Sequence, residues 1–218
     1  MEPPVPRLRA ELADRGFEVD ESRAGAAFRA EIGYYLEHQA EGRDAASLDD
    51  LRDRCAAVMR EALAEPGLDQ DVARAALLAS IHFRAYPDAV PALRELRERG
   101  LRVAVCSNWD CSLGEVLRET GLHELVDGVM TSAEAGARKP DPRIFRAALD
   151  VVGIPPDRAV HVGDSPAGDV GGAAAAGIRA ILLERGAERP DAVPADSTPG
   201  PAPWTRITSL DELPARVP

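Results

Sequence analysis

Through the first 85 residues, apolar positions return every three to four places, the period of a helix packed on one side. The clearest stripe runs from Glu21 to Gln39 and carries Ala24, Ala27, Phe28, Ile32, Tyr35 and Leu36. A shorter helix is expected over Leu8–Arg15, closed by Gly16. Ser47, with Asp50 three residues on, has the form of an acidic capping box and predicts a helix over Leu48–Ala64. Pro66-Gly67 breaks the chain, and Asp69 or Gln70 opens a fourth helix holding Val72, Ala76, Leu77 and Ile81. Four helices with short links predict a small bundle. Phe28, Tyr34, Tyr35 and Phe83 are read as packing groups of that bundle. His38 and His82 are read as surface or packing residues.

From Tyr86 the texture changes to short apolar runs alternating with helical stretches. Strands are expected at Leu101–Cys106, Leu125–Met130, Ala159–Val162 and Ile178–Leu183. Helices are expected between them, at Asp88–Arg99, Ser112–Thr120, Asp141–Val152 and Ala167–Ala176, each closed by a glycine. Such alternation predicts a doubly wound parallel sheet, an α/β core of Rossmann-like kind, over residues 86–218, with the bundle as a domain of its own over 1–85. The Pro-, Ala- and Gly-rich stretch 184–203 is read as a surface loop, and Ser209–Val217 as a last helical turn.

Composition narrows the chemistry. A net charge of -11 and the lack of a basic stripe argue against a nucleic-acid partner. No apolar run approaches the ~18 residues of a membrane span. Cys55, Cys106 and Cys111 make neither a disulfide framework nor a CxxC pair, which predicts a reducing, cytoplasmic setting. Cys106 ends an apolar run and is read as a small hydrophobe. Of the 26 basic residues all are Arg except Lys139. An ammonium is a compact point charge that enters a tight anion pocket where a guanidinium fork will not fit.

In an open parallel sheet, ligands sit beyond the carboxyl ends of the strands. After the first strand comes Ser107-Asn108-Trp109-Asp110; after the second, a segment leading to Arg138-Lys139-Pro140-Asp141; after the third, Gly163-Asp164-Ser165 through Asp169. One hydroxyl, the lone ammonium and two carboxylates therefore arrive at one sheet edge. That set suits a phosphate, bound by Ser107, backbone N–H groups near Asn108 and Lys139, beside a magnesium ion held by hard oxygens of Asp164 and Asp169. Asp capping a turn is the plainer role for either carboxylate alone.

Val105-Cys106-Ser107-Asn108, Arg138-Lys139-Pro140-Asp141-Pro142-Arg143-Ile144-Phe145 and His161-Val162-Gly163-Asp164-Ser165…Asp169 resemble motifs II, III and IV of the haloacid dehalogenase superfamily, in that order. The resemblance covers about residues 86–185, and the preceding helices are similar to the family's helical cap. It implies a small-molecule phosphate ester as partner, Mg2+ as cofactor, and catalytic roles for Ser107 and Lys139. Ser107 and Asn108 would bind phosphate with Lys139, and Asp164 would ligate the metal with Asp169 in support. The acidic Asp164 favours the phosphatase branch over the 2-haloacid dehalogenases, because a carboxylate beside an anionic substrate is repulsive without a cation between them. No segment matches the family's Asp-x-Asp-x-Thr nucleophile, so the first core strand, normally between those bearing Ser107 and Asp164, is expected to be missing. Losing about five buried apolar residues at roughly 1.5–3 kcal/mol each would be a large loss. The open edges it leaves would encourage association. A start internal to a longer gene product is the expected cause. The alternatives are a non-catalytic pseudoenzyme that binds phosphate or a protein partner, and a dehalogenase.

Overall fold

A computed structural model describes residues 3–186 and 205–217, in two compact units: residues 1–84 with Asp110–Ser112, and residues 85–109 with 113–218. The first unit is helical: α1 (Pro4–Ala13), α2 (Glu21–His38), α3 (Ala45–Leu63) and α4 (Gln70–Ser80). Its core draws Leu8 and Leu12 from α1, Ala24, Ala27 and Phe28 from α2, Cys55 and Met59 from α3, and Ala73 and Leu77 from α4. The expected stripe on α2 is thus the face that is buried; Tyr34 and Tyr35 pack against the same core. Asp69 caps α4 by accepting from the Val72 N–H at 2.8 Å.

The start of α3 differs from expectation. Its N-cap is Asp44, whose carboxylate accepts the Ser47 N–H at 2.9 Å while Ser47 Oγ accepts the Asp44 N–H at 3.0 Å. Ser47 is the inner half of the box, because the extended Asp44 backbone places the longer acceptor over the first turn. Asp50 pairs with Arg54 one turn on, at 2.9 Å.

Glu31, on α2, is buried, and its Oε2 has no hydrogen-bond partner among the described residues. Burial raises its pKa from 4.5 to about 7, offset in part by the Cys55 thiol. Between those values the folded chain keeps a proton that the unfolded chain has released. Stability therefore falls as pH rises through that window and levels off above it, by on the order of 3 kcal/mol. Glu31→Gln is expected to remove this slope. Urea midpoints at pH 5 and pH 8 would check it: a slope unchanged by the substitution refutes the assignment.

The second unit begins with α5 (Ala89–Glu98) and β1 (Ala104–Ser107), then α6 (Leu113–Glu119), β2 (Gly128–Thr131), the short α7 (Ser132–Ala135) and α8 (Pro142–Val152). β3 (Val160–Gly163), α9 (Gly172–Ala175), β4 (Arg179–Leu183) and β5 (Thr205–Ile207) complete it. All strand pairs are parallel: β1 with β2, β3 with β4, and β4 with β5. Side chains alternate between two apolar clusters, one on each face. Cys106, Met130 and Ala180 meet Ile144 and Phe145 of α8; Val103, Val160, Val162 and Ile181 meet Leu96 of α5. The first cluster thus joins Cys106 of β1 to Ala180 of β4, and the second joins Val160 and Val162 of β3 to Val103, just before β1.

The sheet comes in two pieces, β1-β2 and β3-β4-β5, and no ladder joins β1 to β3 among the described residues. Strands of a covered parallel sheet are normally buried on both faces. Every residue of β3 is only half-buried, as are three of the four in β1 (Ala104 is exposed), whereas Ile181 and Leu182 of β4 are fully buried.

Several boundaries move. The first two strands start three residues later than the apolar runs, because the ladder begins at Ala104 opposite Gly128. Before it, Asp127 closes the end: its N–H bonds the Val103 carbonyl at 2.7 Å and its carboxylate accepts the Val103 N–H at 2.8 Å. The helix expected over Ala167–Ala176 is a wide π-type turn, Pro166–Gly171, followed by α9. β5 was not foreseen; three residues are too few to show a period. Most of the expected loop, residues 187–203, lies outside the described residues. The terminal helical turn is a pair of 3-10 turns, Leu210–Glu212 and Pro214–Arg216.

Candidate functional site

β1 and β3 deliver the predicted groups at their carboxyl ends: Ser107 closes β1, and Asp164 follows β3 directly. Ser107 is half-buried and Asp164 exposed. The next residue, Asn108, spends its side chain on the segment beyond β2. Its Nδ2 donates to the Lys139 carbonyl at 3.2 Å, and its Oδ1 accepts the Lys139 N–H at 2.7 Å. This two-point clasp fixes the backbone that carries the only lysine.

The Lys139 ammonium donates to Asp169 Oδ1 at 2.5 Å. Asp169 is 3% exposed. Its Oδ1 also meets His161 Nε2 at 2.9 Å, and its Oδ2 accepts the Ser165 N–H at 2.9 Å. Burial alone would raise the Asp169 pKa, but His161 and Lys139 outweigh it and hold the carboxyl far below its usual range. The group stays ionised, and Lys139 is held beside it with donors to spare.

Local sequence explains the geometry. In the π-type turn both the Asp169 and the Val170 N–H groups bond the Ser165 carbonyl, at 2.8 and 3.2 Å, which swings Asp169 back over β3. Room for it exists only because position 163 is glycine: a Cβ there would overlap the Asp169 carboxyl carbon. Gly172 serves α8 in the same way, since a Cβ would stand 2.6 Å from the Phe145 ring.

The structure thus brings Asn108, Lys139 and Asp169 into direct contact. Ser107 adjoins this cluster through Asn108, and Asp164 through Ser165. His161 braces Asp169 and packs edge-on against Phe145, with ring centroids 4.9 Å apart. The signal was present, since period two sets its side chain opposite Val160 and Val162, but its partner is reached only through the π-type turn. Cys106 packs in the apolar cluster as expected, its thiol pushed up to about 11 by burial.

For a magnesium ion the donor set is partial. Among the described residues no three His, Cys, Asp or Glu side chains gather into a cage. Asp169 has both oxygens engaged, whereas Asp164 is exposed and carries hard oxygens of the kind magnesium takes. Magnesium commonly takes one or two carboxylates and completes its shell with water and substrate phosphate, so Asp164 fits as one member of such a set.

Residues 5–177 match the family of haloacid dehalogenase-like hydrolases. The chain is 43% identical over 163 residues to a phosphoserine phosphatase of Thermus thermophilus, covering 72% of this chain and 62% of that one. It is 38% identical over 106 residues to a glyceraldehyde 3-phosphate phosphatase of Methanopyrus kandleri, covering 48% of this chain and 46% of that one. It therefore spans less than two thirds of either relative. Among solved structures, the L-2-haloacid dehalogenase of Xanthobacter autotrophicus superposes with a TM-score of 0.65 at 22% identity, covering 97% of this chain and 90% of that one; this likeness speaks for the fold alone.

Proposed function

Since the chain belongs to the haloacid dehalogenase-like hydrolase family, we propose that it carries the phosphate-handling groups of a magnesium-dependent phosphatase for a small phosphorylated metabolite. The observation behind this reading is Lys139, the lone ammonium, held 2.5 Å from a buried carboxylate beside the ends of β1 and β3. Ser107 Oγ donates to a phosphoryl oxygen, and Lys139 Nζ donates to the same anion with a proton not used on Asp169. Asn108 contributes through its backbone, since its side chain is committed to Lys139. Asp164 would hold Mg2+ with support from Asp169, which fixes the neighbouring Ser165; the ion would neutralise charge on the phosphoryl group. The helical unit is similar to the family's cap, whose role is to exclude water from the reaction.

In the family's reaction an aspartate oxygen attacks phosphorus and the ester P–O bond breaks. The leaving oxygen takes a proton from a second aspartate, and water then cleaves the aspartyl phosphate. Neither aspartate has a counterpart in this sequence. In the family their place is a strand between those that bear Ser107 and Asp164, and among the described residues no ladder joins β1 to β3. On this reading the chain is a phosphate binder with little or no turnover.

The test is a titration with inorganic phosphate, with and without Mg2+. Binding is expected, stronger with the ion and at least tenfold weaker in Lys139→Gln. Phosphate that does not bind, or binds regardless of Lys139, overturns the reading. Turnover of p-nitrophenyl phosphate by the unmodified chain would remove the claim of impairment. The Asp164 carboxylate favours this reading over a metal-free dehalogenase.

A further inference from the structure

Resting on that reading, we infer that Tyr35 and Asp110 are positioning residues that hold the anion-binding segment Ser107–Asn108 in place from the helical unit. Asp110–Ser112 count with the helical unit, although Trp109 before them and Leu113 after them belong to the other. Within the helical unit, Tyr35 Oη donates to Asp110 Oδ2 at 2.9 Å. The Cys111 N–H donates to the Gly42 carbonyl at 2.8 Å. Gly42 permits this approach: a Cβ there would stand 3.0 Å from the Asp110 Cβ.

Upstream, the chain is gripped just as closely. The Trp109 N–H donates to Ser132 Oγ at 3.0 Å, and the Trp109 carbonyl accepts from the Ala133 N–H at 3.2 Å and from Ser132 Oγ at 3.1 Å. Asn108 is clasped to Lys139. Each residue from Asn108 to Ser112 thus has an anchor within its own unit, and only Trp109 separates Asp110 from the clasped Asn108 along the chain. A shift at Asp110 must reach Ser107 through this short backbone.

Capping alone does not account for Asp110. Its Oδ1 accepts the Ser112 N–H at 2.7 Å, an ordinary Asx turn at the start of α6. Such turns work at the surface, yet Asp110 is 4% exposed, and no cation pairs with it among the described residues. Burying a carboxylate without a counter-charge costs stability. The Tyr35 bond adds nothing to the turn; it fixes where the turn sits.

The experiment compares the full chain with Tyr35→Phe, which removes one hydroxyl and keeps the ring, and with Tyr34→Phe as control. Amide hydrogen exchange and inorganic phosphate affinity are read together. Tyr35→Phe is expected to speed exchange at Cys111 and Ser112 at least tenfold, leave α3 and β4 unchanged, and weaken phosphate binding three- to tenfold. Tyr34→Phe should do neither. Unchanged exchange at 111–112, or faster exchange with undiminished phosphate affinity, overturns the inference. A general rise in exchange across α2 and α3 would also overturn it, by making Tyr35 a plain core residue. Should the unsubstituted chain fail to bind phosphate, the phosphatase reading falls, and the exchange data still decide whether Tyr35 holds the segment.

Discussion

Joining an apolar strand that ends in Asp-x-Asp-x-Thr to the N-terminus is expected, on the proposed reading, to give the chain magnesium-dependent phosphatase activity. The same addition should raise its melting temperature. Two physical effects act together. The added strand would pair with β1 and β3, between which no ladder runs among the described residues, and give their N–H and C=O groups partners. It would also cover residues such as Val105, Cys106 and Val162, which are only half-buried. Five apolar residues at roughly 1.5–3 kcal/mol each set an upper bound of about 7–15 kcal/mol, reduced by compactness of the unfolded chain. Even a third of that is a large share of a domain's ~5–15 kcal/mol. Hydrolysis of p-nitrophenyl phosphate and the melting temperature would be followed together. A strand whose two aspartates are replaced by asparagine should keep the stabilisation and lose turnover. No change in melting temperature with either strand would refute the slot between β1 and β3.

Asp169→Asn should produce the largest loss from a single substitution in the site. The change removes the charge that Lys139 and His161 share, and it puts a donor among three donors. Removing one partner of a buried ion pair costs about 3–5 kcal/mol, and the part-exposed Lys139 places the expected cost nearer 2–4 kcal/mol. The depressed pKa fixes the pH dependence. A carboxyl whose folded value lies below its ordinary 3.8 adds stability that is fully present above that pH and is lost as pH falls towards the folded value. The gap between parent and variant should therefore be full at pH 7 and shrink below about pH 4. Chemical denaturation at pH 7 and pH 3 would measure it. Phosphate affinity should fall as well, because Lys139 loses the contact that aims it. A variant as stable as the parent at pH 7 would mean that Lys139 and Asp169 do not form this pair in solution.

How much of this was legible in the sequence differs by feature. The stripe on α2 was plain because eighteen residues give five turns of the same face. The ends of β1 and β3 were equally plain, since apolar runs stop there and polar residues follow. Lys139 stood out by residue type, before any fold was known. What stayed hidden depended on geometry created by tertiary structure. The choice of Asp44 over Ser47 as cap turns on one extended backbone conformation. The approach of His161 to Asp169 needs a turn one residue wider than an α-helix, and its N-terminal Pro166 is equally at home in the commoner form. Tyr35 and Asp110 lie 75 residues apart, and no local pattern links them.

The apolar cluster under α8 takes Cys106 and Met130 from one sheet piece and Ala180 from the other, and the cluster under α5 adds Val103, just before β1, to strand residues of the second piece. Neither piece can then loosen without stripping cover from the other, although no backbone ladder ties them among the described residues. Cooperativity across that seam resides in side-chain packing, so the whole unit should melt in a single calorimetric step, with its van't Hoff enthalpy equal to the measured heat.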